Sequence, residues 1–447
     1  MRTRRFLFLQ GNASRFFDRL GCALHAQGHA VHRINFNGGD EAFWSLPGAV
    51  GFRGRLEEWS PFLQARLAEW RVTDIILFGD CRPLHRLAIG AARGRGICIH
   101  VCDEGYLRPN WITVEEGGVN GHSHLHRDLD SFRQAAHLLP QWTGGLPVVN
   151  SSFRRAIDDI RYLLWTSLLA WRYPHYRSHR LHHKLVEYAG GARRVFGQPL
   201  AKRFLRRDLE RIRMLGQPHY VFPLQLEADS QVRHHSNFPS VTAAIEKVVR
   251  SFAAHAPATS VLAITEHPLE TSLNHWRRIV ARVAQQHGVG NRVFFFEGGT
   301  PDLLLKDSRG VVTINSTIGY LALTLGRAVI TLGEAIYDLV GLTFQGELDA
   351  FWLQGLPAHA DGLDAFRRVV AAQTQINGSY FSDQGIELAI ARLLERWAQH
   401  VPSIMLLPLE PRRATGPELD LTAIASAAAA NVVVSSNAAV SSQASRA

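Results

Sequence analysis

Long apolar runs are missing from this 447-residue chain. No window approaches the roughly 18 apolar residues of a membrane-spanning helix. The apolar run at the amino terminus, Phe6–Leu9, stops at Gln10-Gly11-Asn12 and is too short for a secretory leader. Any contact with a bilayer is therefore expected at its surface. Cysteine is scarce: Cys22, Cys81, Cys98 and Cys102 all lie in the first quarter, with no CxxC pair. That argues against a disulfide framework and for buried reduced thiols in a reducing cytoplasm. Gly38-Gly39-Asp40 and Gly298-Gly299 are not the GxGxxG fingerprint, so a nicotinamide cofactor has no support. His122, His124 and His126 alternate without a spaced cysteine or carboxylate set, and read as a polar loop with no metal. Neither a zinc-finger pattern nor an RNP motif is present, which leaves nucleic-acid binding resting on charge alone.

Short apolar runs are present, and each ends in polar residues. Ile97–Val101 is followed by Asp103-Glu104-Gly105, and Tyr220–Leu224 by Gln225, Glu227, Asp229 and Gln231. Ser260–Ile264 ends at Glu266-His267-Pro268, and Val311–Ile314 at Asn315-Ser316-Thr317-Ile318-Gly319. Such runs read as parallel strands covered on both faces, with ligands beyond their carboxyl ends. Amphipathic helical stretches alternate with them, which implies right-handed crossovers. The layout predicts an α/β protein with two Rossmann-like domains facing a cleft, the GT-B-like arrangement. The expected divisions are an amino-terminal domain at 1–150, a helical connector at 151–215, a second domain at 216–400 and an extension at 401–447 with a disordered tail.

The connector is unusual. Its stretch Ile157–Trp171 is strongly apolar, and Ala192–Met214 holds Arg193, Arg194, Lys202, Arg203, Arg206, Arg207, Arg211 and Arg213. A solvated helix face and a patch for an anionic membrane surface both fit. The net charge of +10 suits an acidic partner in either case.

The strand-end clusters carry the candidate chemistry. Ser316 or Thr317 can cap a helix whose free N–H groups attract phosphate, with Gly319 allowing close approach; a plain N-cap has the same pattern. Pro268 turns the chain so that His267 points outward, toward a phosphate or ribose oxygen or simply toward solvent. Gln225, Glu227 and Asp229 crowd one strand exit, where a carboxylate can act as nucleophile or base or sit in a hydrogen-bonded loop. Asp103, Glu104 and Arg108 form the matching group of the first half, an acid held by a cation. The polar segments 110–113 and 117–121 downstream suit an acceptor or sugar pocket.

Together these segments resemble the capsular polysaccharide biosynthesis proteins of the KpsS type. The likeness is carried by FLQGNASRFFDRLGCAL, INFNGGDEAFW, TDIILFGDCRPLHR, DEGYLRPNWITVEEGGVNG, VFPLQLEADSQVRHHS, EHPLE, TINSTIGYLAL and GEAIYDLVGLTFQGELDAFW, from about Phe6 to Ile390. The resemblance implies a retaining β-Kdo glycosyltransferase that takes Kdo from CMP-Kdo to a phosphatidylglycerol lipid and begins the capsule linker. It implies no cofactor beyond that donor, a place at the inner face of the cytoplasmic membrane, and other capsule assembly proteins as partners. It would make Asp229 the nucleophile, with Glu227 its competitor, and Glu104 the acid/base. His267, Ser316 and Thr317 would hold CMP, beside Asn315, Gly319 and Gln225, and Arg108 the Kdo carboxylate. Thr265-Glu266 stands where relatives tend to carry a basic or amide residue before His-Pro. A non-catalytic assembly or export component that binds lipid-linked glycan is the alternative.

Overall fold

The computed structural model describes residues 3–178, 210, 212, 214, 216–227, 232, 235–267, 270, 275–297 and 301–398. Both sheets lie in one compact unit, Met1–Met405; the other unit, Leu406–Ala447, is outside the described residues.

The first half is a βα alternation. It runs β1 (Arg5–Phe8), α1 (Phe16–Ala26), β2 (Ala30–Asn35), α2 (Gly38–Ala42), β3 (Val50–Gly51), α3 (Leu56–Glu69), β4 (Asp74–Phe78) and α4 (Pro83–Arg93). Then come β5 (Cys98–Glu104), β6 (Trp111–Glu116), α5 (Leu129–Ala136) and α6 (Ser152–Leu168). The second half repeats the alternation with β7 (His219–Pro223), α7 (Val241–His255), β8 (Val261–Thr265), α8 (Trp276–Gln286), β9 (Val293–Phe296) and α9 (Pro301–Leu305). It continues with β10 (Gly310–Thr313), α10 (Thr317–Thr324), β11 (Ala328–Thr331), α11 (Leu348–Gln354), α12 (Ala360–Gln373), β12 (Gln375–Asn377) and α13 (Asp383–Ala398). Polar side chains start several helices: Ser151 Oγ accepts from Arg154 N at 3.1 Å, and Ser240 Oγ from Ala243 N at 3.1 Å.

The first sheet has the order β12-β6-β5-β4-β1-β2-β3, and the second β11-β10-β7-β8-β9. Leaving out β6 and β12, each half shows the same order, third-second-first-fourth-fifth, with parallel neighbours throughout. This is the doubly wound pattern, and its ligands sit where the order reverses. One buried cluster joins the halves: Val101, Tyr106 and Val119 of the first lie in it with Val221, Tyr320 and Tyr337 of the second. Two others cover the far faces, one around Trp352 and Phe252, one around Phe6, Phe16 and Tyr380.

Three expectations change. Of the polar segments 110–113 and 117–121, the first runs into β6, which is antiparallel to β5 through His100↔Glu116 to Glu104↔Ile112. Its β-branched Ile112, Thr113 and Val114 suit a pleated, buried surface better than a loop. That ladder keeps the chain extended, so Asp103 and Glu104 lie inside β5, not after it. Only glycine fits at 105, because a Cβ there would overlap the Trp111 carbonyl. The boundary expected near 400 also moves. β12 pairs with β6 of the first sheet, Gln375↔Thr113 to Asn377↔Trp111, and α13 packs on α1. The chain thus returns to the first half for its last described elements.

The connector begins as a helix, as expected, but with its polarity reversed. The inner face of α6 is hydrogen-bonded: Tyr162 Oη donates to Asp40 Oδ1 at 2.8 Å, and Thr166 Oγ1 to Asn37 Oδ1 at 3.2 Å. It sits so close to α2 that a Cβ on Gly38 would overlap the Trp165 carbonyl. Its outer face carries exposed Phe153, Ile160, Leu164 and Leu168, continued by Trp171. Most of the basic stretch 192–214, including all of its named arginines and its lysine, lies outside the described residues. All four cysteines are free.

Candidate active site between the two halves

The two reversal points face each other. In the first half the reversal falls between β1 and β4, and β4 leads into Gly79-Asp80-Cys81. Gly79 has φ of 68°, a left-handed turn that glycine adopts without a Cβ clash. In the second half it falls between β7 and β10, which lead into Gln225 and Asn315. Those two amides pair: Gln225 Nε2 donates to Asn315 Oδ1 at 2.9 Å, and Asn315 N donates to Gln225 Oε1 at 3.1 Å. Asn315 Nδ2 then donates to the His235 carbonyl at 3.1 Å, and His235 Nε2 lies 3.4 Å from Cys81 Sγ. Arg127 spans the halves as well, donating to Ala335 O and, at 3.2 Å, to Asn120 O. A pocket opens at this seam, lined by Tyr106 and Asn120 from one half and Asn315, Thr317, Glu334 and Tyr337 from the other.

Acids of the first half stand behind its lining residues Tyr106 and Asn120. Successive residues of a strand point to opposite faces. Asp103 therefore faces the seam, where Asn120 Nδ2 donates to its Oδ2 at 3.0 Å and Glu104 N to its Oδ1 at 2.8 Å. Burial pushes the Asp103 carboxyl up to about 7, and the like charges of Glu104 and Asp80 add to the rise against those hydrogen bonds. Glu115 is raised to about 8 by burial, against hydrogen bonds from Ser123 and Tyr106. Tyr106 Oη in turn accepts from Asn120 N at 2.6 Å, so the 120–123 turn is fastened to this pair. Asp80 behaves oppositely. Burial works against its charge, yet His122, the Val119 N–H and Cys81 hold it below the usual carboxylate range.

Glu104 points to the other face of β5. It pairs there with Arg155 at 3.4 Å and Arg108 at 3.9 Å. Arg108 is an exposed cation whose Nε donates to Gly105 O at 3.2 Å. Glu227 sits at the start of α7, where Oε2 accepts from Val241 N at 3.2 Å. Asp229, Gln231 and Pro268 lie outside the described residues. His267 is half-buried just past β8, and its carbonyl accepts from Glu270 N at 3.0 Å. The structure thus joins Gln225, Asn315 and Thr317 to the seam and gives Glu104 and Arg108 partners elsewhere.

Ser316 is the N-cap of α10, its Oγ accepting from Ile318 N at 3.2 Å. The expected ligand approach over Gly319 is taken by protein instead. A Cβ at 319 would overlap the Tyr337 hydroxyl, which donates to Ser316 O. Overfilling so tight a contact costs about 1–3 kcal/mol. Gly319→Ala should accordingly lower the thermal midpoint, and an unchanged midpoint would show that Tyr337 yields freely.

Sequence reading passed over Asp80, His235 and Glu334, set His122 aside as loop, and did not separate Asp103 from Glu104. Asp80 closes an apolar strand in the same way as the residues singled out, so the strand-end rule could have found it. His235 and Glu334 lie in irregular segments with no periodicity to mark them.

Fold and site define a class: a two-halved α/β protein of the GT-B-like arrangement, with a pocket at the facing strand ends lined by residues of both halves. A family model described as "Capsule polysaccharide biosynthesis protein" matches residues 73–381. The chain belongs to that family. It is 33% identical over 383 residues to the capsule polysaccharide export protein KpsS of Escherichia coli, covering 85% of this chain and 97% of the other. It is also 33% identical over 387 residues to the capsule polysaccharide modification protein LipB of a serogroup A Neisseria meningitidis, covering 84% and 91%. Among solved structures it is similar to Thermosulfurimonas dismutans KpsC, a β-Kdo 2,7 transferase, with a TM-score of 0.43, 12% identity and coverage of 88% and 99%.

Proposed function

We propose that this chain is a glycosyltransferase that moves β-Kdo from CMP-Kdo to a phosphatidylglycerol lipid, starting the linker of a capsular polysaccharide. The observation that carries this reading is Asp103. Burial raises its carboxyl to about 7, and it accepts from Asn120, which lines the pocket shared by both halves, so that it can take a proton from an attacking hydroxyl at physiological pH. Transfer proceeds by double displacement with retention. A carboxylate oxygen, from Asp229 with Glu227 as competitor, bonds to the anomeric carbon as the bond to CMP breaks. The lipid hydroxyl oxygen then bonds to that carbon, its proton passes to Asp103, and the nucleophile leaves as a carboxylate. Asp103 here takes the acid/base role expected of Glu104, which points to the other face. His267, Ser316 and Thr317 hold CMP, and Arg108 meets the Kdo carboxylate by moving off Glu104.

Incubating the purified chain with CMP-Kdo and a fluorescent phosphatidylglycerol tests the reading. A Kdo-lipid product supports it. Tight binding of CMP-Kdo without product, under conditions where a relative makes product, would assign the chain to a non-catalytic assembly role. The nucleophile is tested separately, by mass spectrometry of the chain after reaction with donor alone: an adduct on Asp229 supports the assignment, and one on Glu227 transfers it.

The acceptor stays in a bilayer, so the enzyme works at a membrane surface. No helix among the described residues is long and apolar enough to cross one. The outward apolar stripe of α6 supplies the contact. Trp165 and Trp171 suit the headgroup region, and exposed Arg161 and Arg177 suit anionic lipid. Leu164→Glu with Leu168→Glu alters two exposed side chains and leaves the inner hydrogen bonds intact. The pair should lower binding to phosphatidylglycerol vesicles at least tenfold in a flotation assay, while turnover of a short-chain acceptor in detergent is kept. Unchanged flotation would remove α6 from the membrane contact.

A further inference from the structure

At the seam, four side chains from three distant segments offer one ligand atom each. Asp80, Cys81, His122 and His235 bring these atoms within 4.8 Å of one another. Asp80 Oδ2 is 3.0 Å from His122 Nδ1, Cys81 Sγ 3.2 Å from Asp80 Oδ1, and Cys81 Sγ 3.4 Å from His235 Nε2. Ligands about 2.0–2.3 Å from a tetrahedral ion stand roughly 3.3–3.8 Å apart, so little movement is needed to close around one. We propose that Asp80, Cys81, His122 and His235 form a zinc site that clasps the two halves together.

The chemistry of the set selects the ion. One thiolate, two imidazoles and a carboxylate suit borderline-soft zinc and not magnesium or calcium, which take oxygen ligands. Cys81 and Asp80 together balance the charge of the dication. Zinc replaces the proton of the Cys81 thiol, which leaves to solvent, and sits where Asp80 now meets His122. Outer groups that fix the ligands are already in place. The Val119 N–H donates to Asp80 Oδ2 at 3.0 Å, and Glu334 N donates to the His235 carbonyl at 2.8 Å. Glu334 Oε2 and His235 Nδ1 both press on the point where a Cβ of Gly121 would stand, which places a carboxylate beside the ring edge away from Cys81. Asp80 and His235 are buried, while the half-exposed His122 leaves an entry path from the groove. The spacing also explains why the set is invisible in the sequence: 80–81, 122 and 235 make no short metal motif.

A second trio, Asp74, Cys98 and His100, is also close together. There the Arg4 guanidinium already occupies the carboxylate, with Nε donating to Asp74 Oδ2 at 3.0 Å, and a cation has no place.

The proposal is independent of which sugar is transferred, and its test reads metal directly. The full chain, without a polyhistidine tag, is purified in zinc-containing buffer, desalted, and assayed for metal by mass spectrometry. About one zinc per chain is expected. Exchange to cobalt should give visible bands of a tetrahedral site and a near-ultraviolet thiolate-to-cobalt band. Cys81→Ser should remove the near-ultraviolet band, whereas Cys22→Ser, which lies outside the site, should keep it. His235→Ala should weaken zinc binding at least tenfold, and a chelator should lower the thermal midpoint of the wild-type chain but not of Cys81→Ser. Less than a tenth of an equivalent of zinc, or a cobalt spectrum unchanged by Cys81→Ser, overturns the site. Because the wild-type measurements need no variant, misfolding of a mutant cannot rescue or sink it.

Discussion

Asp103→Asn will abolish sugar transfer while making the fold more resistant to heat. The two effects share one cause. Burial raises this carboxyl from its ordinary 3.8 to about 7. Between those values the folded chain binds a proton that the unfolded chain does not. Stability from this group is fully present below the unfolded value and is lost as pH rises through about 7. Asparagine keeps the shape without the charge, so the variant should gain roughly 1–3 °C in midpoint at pH 8 and nothing at pH 4. The rate should fall by about 10²–10⁴ with the loss of the proton acceptor. In the wild-type enzyme kcat/KM should climb with pH through about 7 as the base ionises. Loss of activity together with loss of stability would mean that Asp103 is structural, and a flat pH profile would remove it from the proton path.

Asp40→Ala will cost about 3–5 kcal/mol of folding free energy. Arg33 is buried with only 3% exposure, and Asp40 with 1%. Their atoms lie 3.3 Å apart, and Asp40 Oδ2 also accepts from Phe36 N at 3.0 Å. Removing the acid leaves a charge stranded in the interior, because the remaining acceptors of Arg33, Leu9 O at 2.6 Å and Asn35 Oδ1 at 2.9 Å, are neutral. Truncation should also loosen α6, since Tyr162 Oη donates to Asp40. Chemical denaturation measures the first effect and vesicle flotation the second. A combined Arg33→Met, Asp40→Leu variant removes both charges and should recover most of the stability but not the anchoring of Tyr162. If Asp40→Ala unfolds at the wild-type denaturant concentration, water must reach Arg33.

The repeated βα order was legible in the chain because strands buried on both faces leave continuous apolar runs. The runs Tyr220–Leu224, Ser260–Ile264 and Val311–Ile314 fall on β7, β8 and β10, each strand buried along its length. β6 was not legible, because its Thr113, Glu115 and Glu116 break the run and suggest a loop; Thr113 and Glu115 are accommodated by Gln375, Tyr106 and Ser123, which no local pattern reveals. β12 is three residues long and gets its identity from a partner 262 positions away, Gln375 opposite Thr113. At the seam, strand-end position falls on Gln225 and Asn315, whose amides pair there. It could not tell Asp103 from Glu104, since which neighbour faces the groove is set by the register with β6. The reversed amphipathicity of α6 was hidden for a related reason: its Tyr162 and Thr166 turn inward to the buried hydrogen-bonding groups of Asn37 and Asp40, and not toward solvent.

The return of the last strand to the first sheet orders the birth of the protein. A ribosome releases Phe6 long before Ile376, yet β6 lacks its outer neighbour until the latter emerges. The amino-terminal half must therefore wait, incomplete, while the whole second half is synthesised. Release of a nascent chain stopped before residue 375 should leave that sheet margin bare and in need of a chaperone.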